Sequence, residues 1–229
     1  MTDLLILMHK DQALGALDVV LPKLGLTPTI VQFDETMPEN LPAHPRAVII
    51  MGGSQGVYEH KPEIEAELRW LEEYLQQPDH GPVFGICLGC QMLAHLWGAE
   101  VFKGSQGLEF GYQPLELLEA DAVFGDELTG QRVMHYHTDT FTRPAGAVRL
   151  AADDLYPQQA FRFAERVYGV QFHPEVDAAI LTRWLAEAEQ RNLLPEPAAA
   201  SATQQQLAHA HMAANHLWLE AFLGRLLRR

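Results

Sequence analysis

The chain has 229 residues, of which 48% are hydrophobic, and its formal net charge at pH 7 is -14. This length suits one well-buried domain with at most an appendage, and the hydrophobic content excludes a largely disordered protein. The acidic balance argues against a nucleic-acid-binding surface, because such a surface needs clustered Lys and Arg. The apolar run at residues 4–8 is too short for a signal peptide or a membrane span, so we expect a cytoplasmic protein with reduced cysteines.

The first hundred residues alternate short runs rich in Ile and Val with stretches of helical periodicity. Strands are predicted at 3–9, 29–33, 47–53 and 82–87, and helices at 11–25, 62–76 and 90–99. This alternation predicts an α/β fold with a mostly parallel central sheet flanked by helices.

Beyond residue 100, short strands separated by turn residues replace this alternation. We expect them to form a smaller antiparallel sheet before the chain returns to the main sheet. A further helix is predicted at 176–192, a connector of small residues at 195–204 and a closing helix at 204–229. We therefore expect a main domain over residues 1–193, with the connector and C-terminal helix of residues 194–229 packing on that same domain.

Both cysteines of the chain lie in the stretch GICLGCQ at 85–91, directly after an apolar run. A nucleophile flanked by glycines two residues away on each side is typical of a sharp turn between a strand and a helix. The helix N-terminus would favour a Cys87 thiolate, and its amide N–H groups would stabilise an oxyanion. The alternatives are two buried structural cysteines, a redox C-x-x-C pair, or part of a metal site.

A base and an orienting acid for such a thiol occur in the stretch QFHPE at 171–175. His173 and Glu175 are two residues apart, so in an extended chain their side chains share a face. Pro174 disfavours a helical conformation at His173. Glu175 can then orient the imidazole while the other ring nitrogen meets Cys87. Alone, His173 is typical of a histidine at a strand end; together with the cysteine turn, it favours catalysis.

These motifs, taken in order, resemble the class I glutamine amidotransferase family, and within it the amidotransferase domain of GMP synthase. The resemblance covers residues 45–185 and includes IIMGGSQGVYE (49–59), LEFGYQPL (108–115) and MHYHTDTFTRPAGA (134–147). It implies a flavodoxin-like α/β fold and hydrolysis of the glutamine side-chain amide, with no cofactor. Ser54 departs from the pattern, since many relatives carry proline after the two glycines.

The resemblance also implies a role for each matched residue. Cys87 would attack the amide carbon, His173 would protonate the departing ammonia, and Glu175 would hold His173. The backbone N–H groups of Gly53 and Leu88 would form the oxyanion hole. The glutamine pocket would be lined by Gly52, Gln91, Tyr136, His137, Thr138 and Asp139. The alternatives for Gln91 and Tyr136 are a solvent-facing helix residue and ordinary strand packing.

Other histidines are weaker candidates for a site. His135 and His137 lie two apart on a predicted strand and could ligate a metal, but no third ligand stands near them, so we expect no metal site. His209, His211 and His216 on the closing helix are typical of solvated helix residues.

Three functions fit these residues. The first is an amidotransferase that supplies ammonia to a separate synthetase, because GGSQG lacks the lysine of a phosphate-binding loop. The second is a free-standing hydrolase of γ-glutamyl amides or peptides, and the third is a non-catalytic binding module. We expect glutamine or a γ-glutamyl small molecule as the ligand, and neither nucleic acid nor membrane as a partner. A free-standing or loosely partnered hydrolase, which residues 195–229 favour, would hold Gly53 already in position.

Overall fold

The computed structural model describes residues 4–10, 12–33, 41–42, 44–194 and 197–228, without the side chains of residues 33 and 197–199. The first residue of the predicted strand 3–9, the first of the predicted helix 11–25, two residues of the predicted connector and residue 229 lie outside this description. Among the described helices, none is both long and apolar enough to cross a membrane.

The described strands form one eight-stranded sheet and two ribbons, and the order in the large sheet is β2-β1-β3-β4-β12-β11-β10-β7. The parallel part comprises β1 (Leu4–His9), β2 (Pro28–Phe33), β3 (Val48–Ile50), β4 (Val83–Ile86) and β12 (Val167–Val170). The antiparallel part comprises β7 (Glu116–Leu117), β10 (Val148–Ala152) and β11 (Ala160–Phe163). The α/β prediction is confirmed, and the later strands extend one edge of the main sheet.

The two ribbons stand apart from the large sheet. One pairs β5 (Val101–Lys103) with β9 (Asp139–Phe141), and the other pairs β6 (Glu109–Pro114) with β8 (Arg132–His137). Where the sequence predicted one smaller antiparallel sheet, the described residues form two separate antiparallel pairs.

Helices cover both faces of the large sheet. Because side chains alternate along a strand, Leu4 and Ile6 of β1 face the side covered by α1 (Leu17–Lys23) and α5 (Pro197–Leu226). Leu5 and Leu7 face the opposite side, covered by α2 (Pro62–Leu75) and α3 (Leu88–Leu96). The remaining helix, α4 (Ala178–Gln190), packs with α5 against the β6–β8 ribbon. The sheet is therefore buried on both faces, as a parallel sheet requires.

Three predicted boundaries were wrong. Helix α1 begins at Leu17 rather than near residue 11, because Gly15 has a φ of 55° and approaches the carbonyl oxygen of Glu175 too closely for a side chain. Strand β3 ends at Ile50. Helix α3 begins at Leu88, so Cys87 lies directly before its first residue.

The predicted connector at 195–204 was also wrong, since α5 begins at Pro197. A proline is tolerated in the first helical turn and alanines favour helix, so the small-residue stretch continues the helix. Within α5, Trp218 and Phe222 are fully buried, and the Trp218 Nε1–H donates to the Phe124 carbonyl oxygen over 2.8 Å. Helix α5 therefore shares one hydrophobic core with the strands of the large sheet.

The histidines of α5 divide in their surroundings. His209 is exposed, as predicted. His211 lies 3.0 Å from the Gln131 side-chain oxygen and His216 donates to the Val176 carbonyl over 2.8 Å, so these two are not simply solvated.

Candidate active site

The turn between β4 and α3 places Cys87 in an unusual conformation. Its φ is 51° and its ψ is -104°, a region that residues other than glycine rarely adopt. Hydrogen bonds secure the backbone on both sides: the Cys87 N–H donates to Val170 over 2.8 Å, and its carbonyl accepts from the Gln91 N–H over 3.0 Å. The strain is thus maintained by the neighbouring strand and helix, which is typical of functional sites.

The two glycines of the turn allow α3 to approach the sheet. A Cβ atom on Gly85 would lie 2.6 Å from the Gly89 carbonyl oxygen, and one on Gly89 would lie 2.4 Å from the Ile50 carbonyl oxygen. Both neighbours are backbone atoms, which cannot move aside cheaply. The expectation that these glycines leave room for backbone is confirmed.

His173 and Glu175 form a buried pair just after β12. The His173 Nδ1–H donates to Glu175 Oε1 over 2.8 Å, and both side chains are buried. The His173 backbone N–H donates to the Met134 carbonyl over 2.8 Å, which fixes the chain at this point. The other ring nitrogen, Nε2, is buried and makes no hydrogen bond of ordinary geometry with the described residues. The free face of the imidazole is therefore available for the thiol or for a ligand.

The charge state of His173 is set by its neighbours. Burial lowers the pKa of the imidazole, but the negative charges of Glu175 and of a Cys87 thiolate outweigh it and raise this pKa to about 10. His173 is therefore an imidazolium at neutral pH, paired with the thiolate. Cys90 differs, because complete burial raises the pKa of its thiol well above the ordinary value and keeps it neutral.

A row of amide side chains contacts the thiol from the other side. Gln171 Nε2–H donates to Cys87 Sγ over 3.5 Å, and Gln91 Nε2–H donates both to Gln171 Oε1 over 3.1 Å and to the Asp139 carbonyl over 3.2 Å. Gln91 is buried rather than solvent-facing. Gln171 was missed in the sequence, although its position two residues before His173 places it on the same face of an extended chain.

A cavity of about 270 Å³ opens beside Cys87. Of the residues predicted from the sequence, its walls contain Gly53, Cys87, Gln91, Tyr136, His137, Thr138 and Asp139. Gly52 lies behind this wall: a Cβ atom there would come within 2.9 Å of His173 Cε1 and 3.6 Å of Cys87 Cβ. His173, Glu175 and Leu88 likewise flank the cavity from behind. The predicted site residues, scattered from 52 to 175, thus lie in or against one small cavity.

Comparison with known proteins identifies the family. A family model described as "Glutamine amidotransferase class-I" matches residues 6–185. The chain belongs to the class I glutamine amidotransferases. It is 31% identical over 155 residues to a glutamine-hydrolyzing subunit of GMP synthase from Pyrococcus furiosus, and the alignment covers 67% of this chain and 78% of that relative.

Longer relatives and a solved structure agree with this assignment. The GMP synthase of Prochlorococcus marinus is 33% identical over 135 residues, which cover 58% of this chain but only 24% of that synthase. A crystal structure of a glutamine amidotransferase from Thermotoga maritima superimposes with a TM-score of 0.85 and 26% identity, covering 99% of this chain and 98% of that one. The predicted family resemblance is confirmed.

Some pocket residues of this amidotransferase were not predicted. Ser54, Gln55, Leu108, Glu187, Arg191 and Leu193 complete the cavity wall. Arg191 donates to Glu187 over 2.7 Å, and the Tyr136 hydroxyl donates to the same Glu187 oxygen over 3.2 Å. In the sequence, Glu187 and Arg191 are an ordinary pair of charged residues four apart on a helix, so no local signal distinguishes them.

A second buried pair supports the segment after β3. His9 and Glu67 are completely buried, and their side chains meet at 2.9 Å. The opposite ring nitrogen of His9 donates to the Gly52 carbonyl over 2.8 Å. Burial lowers the pKa of His9, but the charge of Glu67 and hydrogen bonds to Glu67 and the backbone raise it overall. The peptide that joins Gly52 to Gly53 is therefore held by a protonated, ion-paired histidine.

The close approach at Gly89 leads to a test of stability. Gly89→Ala should lower the free energy of unfolding by about 3 kcal/mol, because its Cβ would overlap the Ile50 backbone. Gly224→Ala is the matched control, since its nearest neighbour would be a Leu24 side-chain atom at 3.5 Å and alanine favours helix. Urea unfolding of both variants checks this; equal stability of the two would contradict the close packing of α3.

Proposed function

We propose that this amidotransferase hydrolyses the side-chain amide of glutamine through a thioester on Cys87. The observation that carries the proposal is the buried His173–Glu175 pair beside a thiol held on a strained strand-to-helix turn. A thiolate is the nucleophile, an imidazolium is the acid, and a carboxylate fixes the imidazole tautomer.

The first half of the reaction forms the thioester. Cys87 Sγ attacks the amide carbon, and the carbonyl oxygen becomes an oxyanion. His173 donates its Nε2 proton to the amide nitrogen as the carbon–nitrogen bond breaks, so ammonia departs and the γ-glutamyl group stays on sulfur. Gln171, which donates to Sγ, stabilises the thiolate before attack and after release.

The second half returns the enzyme to its starting state. His173, now neutral, takes a proton from water, and the resulting hydroxide attacks the thioester carbon. The carbon–sulfur bond breaks, glutamate leaves, and the thiolate–imidazolium pair forms again. Glu175 accepts the Nδ1 hydrogen throughout.

The oxyanion would be held by the backbone N–H groups of Gly53 and Leu88. Leu88 is the first residue of α3, where N–H groups have no partner within the helix. At the other side, the His9 side chain holds the Gly52 carbonyl. In a trans peptide the carbonyl and the following N–H point in opposite directions, so this bond turns the Gly53 N–H away from His9. Gly53 also lines the cavity that contains Cys87.

The size and charges of the cavity suit an amino acid. A volume of about 270 Å³ lies at the small end of ligand pockets. Arg191 would face the α-carboxylate of glutamine, while Glu187 and Asp139 would face its α-ammonium group.

Ammonia release by the isolated, tag-free chain tests this function. The panel comprises glutamine, γ-glutamyl amides and peptides, and glutamine whose α-carboxylate is converted to an amide. We expect glutamine or a γ-glutamyl amide to turn over and the compound without the α-carboxylate to be a poorer substrate. Absence of release from every compound, with the protein folded, would favour a non-catalytic binding module.

Two arrangements for the ammonia are supported by different observations. The Pyrococcus relative is named as one subunit of GMP synthase, which supports delivery to a separate synthetase. The buried His9 bond supports hydrolysis without a partner, because it positions the Gly52–Gly53 peptide within the chain itself. A turnover of about 1 per second or more by the isolated chain would favour the second arrangement. Slow turnover that a co-purifying ATP-using synthetase raises would favour the first.

The two cysteines should differ sharply in importance. Cys87→Ser should fold and lose essentially all turnover, since the serine hydroxyl is not ionised beside His173. Cys90→Ser should retain most activity, because that thiol is neutral and fully buried. Ammonia release and trapping of the thioester by mass spectrometry measure the difference. Equal losses in both variants would support a redox or metal role for the pair.

Glu175→Gln preserves the shape of the side chain and removes its charge. Burial lowers the pKa of His173, and Glu175 is the strongest of the influences that raise it to about 10, so we expect this pKa to fall in the variant. Turnover should drop by roughly two to four orders of magnitude through loss of imidazole orientation. An NMR titration of the His173 ring and steady-state ammonia release are the measurements.

The same variant has a signature in stability. In the wild type the folded-state pKa lies above the ordinary value of 6.5, so the pair contributes fully below that pH and its contribution is lost as the pH rises through about 10. In Glu175→Gln the loss should begin at a lower pH. An unchanged alkaline unfolding profile with wild-type turnover would mean that another group orients His173.

His9 offers a matched pair of substitutions. The amide nitrogen of asparagine occupies the place of Nδ1, so His9→Asn keeps the donor to Gly52, whereas His9→Gln places its amide toward Glu67 and loses that donor. We expect His9→Gln to lose roughly 10- to 100-fold in kcat with little change in KM, and His9→Asn to lose less. Unfolding midpoints of both variants are the control. Equal kcat values at equal stability would contradict the positioning role.

A further inference from the structure

A second cluster of titratable side chains lies behind the pocket wall, away from Cys87. Glu109, His135 and His137 each offer one ligand atom, and these atoms all lie within 4.8 Å of one another. All three side chains are buried, His135 completely. The sequence prediction of no metal site depended on the lack of a third ligand near the two histidines, and Glu109 is that third group.

The strand register explains why these residues meet. In the ribbon β6–β8, Glu109 pairs directly with His137, and their side chains therefore share a face. His135 is two residues before His137 on the same strand, so it points to that face as well. Glu109 is far from both histidines in the sequence, and the antiparallel pairing brings it beside them.

The hydrogen bonds of His137 leave a lone pair facing the carboxylate. Its Nδ1 lies 3.0 Å from the Asp139 carbonyl oxygen and must donate to it, since a carbonyl only accepts. In the neutral ring, Nε2 then carries a lone pair, and it lies 2.9 Å from Glu109 Oε2. Two lone pairs at this distance repel unless a proton or a cation lies between them. A metal-ligating histidine has the same pattern, with its second nitrogen donating to a backbone carbonyl.

His135 has polar atoms that the described protein leaves unsatisfied. Both ring nitrogens are buried without a hydrogen-bond partner among the described residues, and so is Nε2 of His137. Buried polar nitrogens without partners are costly, and an unseen ion is one of their ordinary explanations. His135 Nδ1 lies 3.3 Å from Glu109 Oε2, which directs it to the same point as His137 Nε2.

The separations suit a zinc-sized ion. Ligands bound at about 2.0–2.1 Å in tetrahedral geometry lie about 3.3–3.4 Å apart. The Glu109–His135 and Glu109–His137 separations are 3.3 Å and 2.9 Å, so small side-chain movements would open the site to full size.

Groups around the cluster complete the environment of an ion. Asp153 Oδ2 lies 4.0 Å from His135 Nε2, where it would accept that nitrogen's hydrogen and orient the ring. The Gln159 amide donates to Glu109 Oε2 over 3.0 Å and also to Asp153. Two buried carboxylates thus lie close together, an arrangement that a divalent cation would stabilise.

We propose that Glu109, His135 and His137 bind a zinc ion or a similar first-row transition metal ion. Two imidazoles and one carboxylate favour this class over Mg²⁺ or Ca²⁺, which prefer sets of oxygen ligands. The ion would join β6 to β8 at the point where β8 enters the pocket segment 136–139. Its role is to hold that wall of the pocket in place, at a site distinct from Cys87.

Zinc binding by tag-free protein tests the proposal. After chelator treatment and dialysis, we expect the wild type to bind one equivalent of Zn²⁺ in a calorimetric titration, and added Zn²⁺ to raise its melting temperature. Substitution by Co²⁺ should give the visible absorption of a four-coordinate nitrogen and oxygen site, whereas Mg²⁺ should have no effect. A wild type that binds neither Zn²⁺ nor Co²⁺ would overturn the proposal.

A pair of histidine variants locates the site. His135→Gln should weaken Zn²⁺ binding by roughly tenfold or more, because a ligand is lost. His209→Gln is the matched control, since His209 is exposed on α5 and should leave binding unchanged. If His135→Gln does not fold, Asp153→Asn is the second variant, and it should weaken binding through the orientation of His135. Wild-type affinity in either folded variant would overturn the assignment.

Discussion

The contact of helix α3 with the large sheet is the constraint on which the rest of the site depends. At Gly85 and Gly89 the backbone of the helix lies against the backbone of the sheet, with no side chain between them. This contact directs the start of α3, and with it Cys87, at the end of β4 beside β12. The residues that follow β12 include His173 and Glu175, so the sheet order brings the buried pair to the thiol.

Buried polar pairs then give the site its shape. The interior around Cys87 contains His173 with Glu175, His9 with Glu67, and Gln91 with Gln171. Each pair offsets the loss of water by bonding to its partner, and each also bonds to a backbone segment or to the thiol. The strands supply the scaffold, while these pairs decide where the loops between them rest.

Local patterns in the sequence were enough for the elements that carry chemistry along one segment. The cysteine turn and the His173–Glu175 pair depend on neighbours within four residues, and the spacing alone indicated them. Gln171, Arg191 and Glu109 belong to the site or lie behind it because of distant pairing between strands and helices, which no short pattern records. The alanine-rich start of α5 was misinterpreted for a different reason, since small residues suit both a connector and a helix.

One contact at the opposite end of the chain has a bearing on the chemistry. The backbone N–H of Ala16 donates to the Glu175 carbonyl over 2.8 Å, and the neighbouring Gly15 leaves no space for a side chain against that same oxygen. The entry to α1 is therefore a template for the loop that contains the catalytic acid. A change in the first twenty residues would thus be transmitted as a rotation of the Glu175 carboxylate. Sequence drift in that region is constrained by the imidazole it indirectly aligns, although none of its residues lines the cavity.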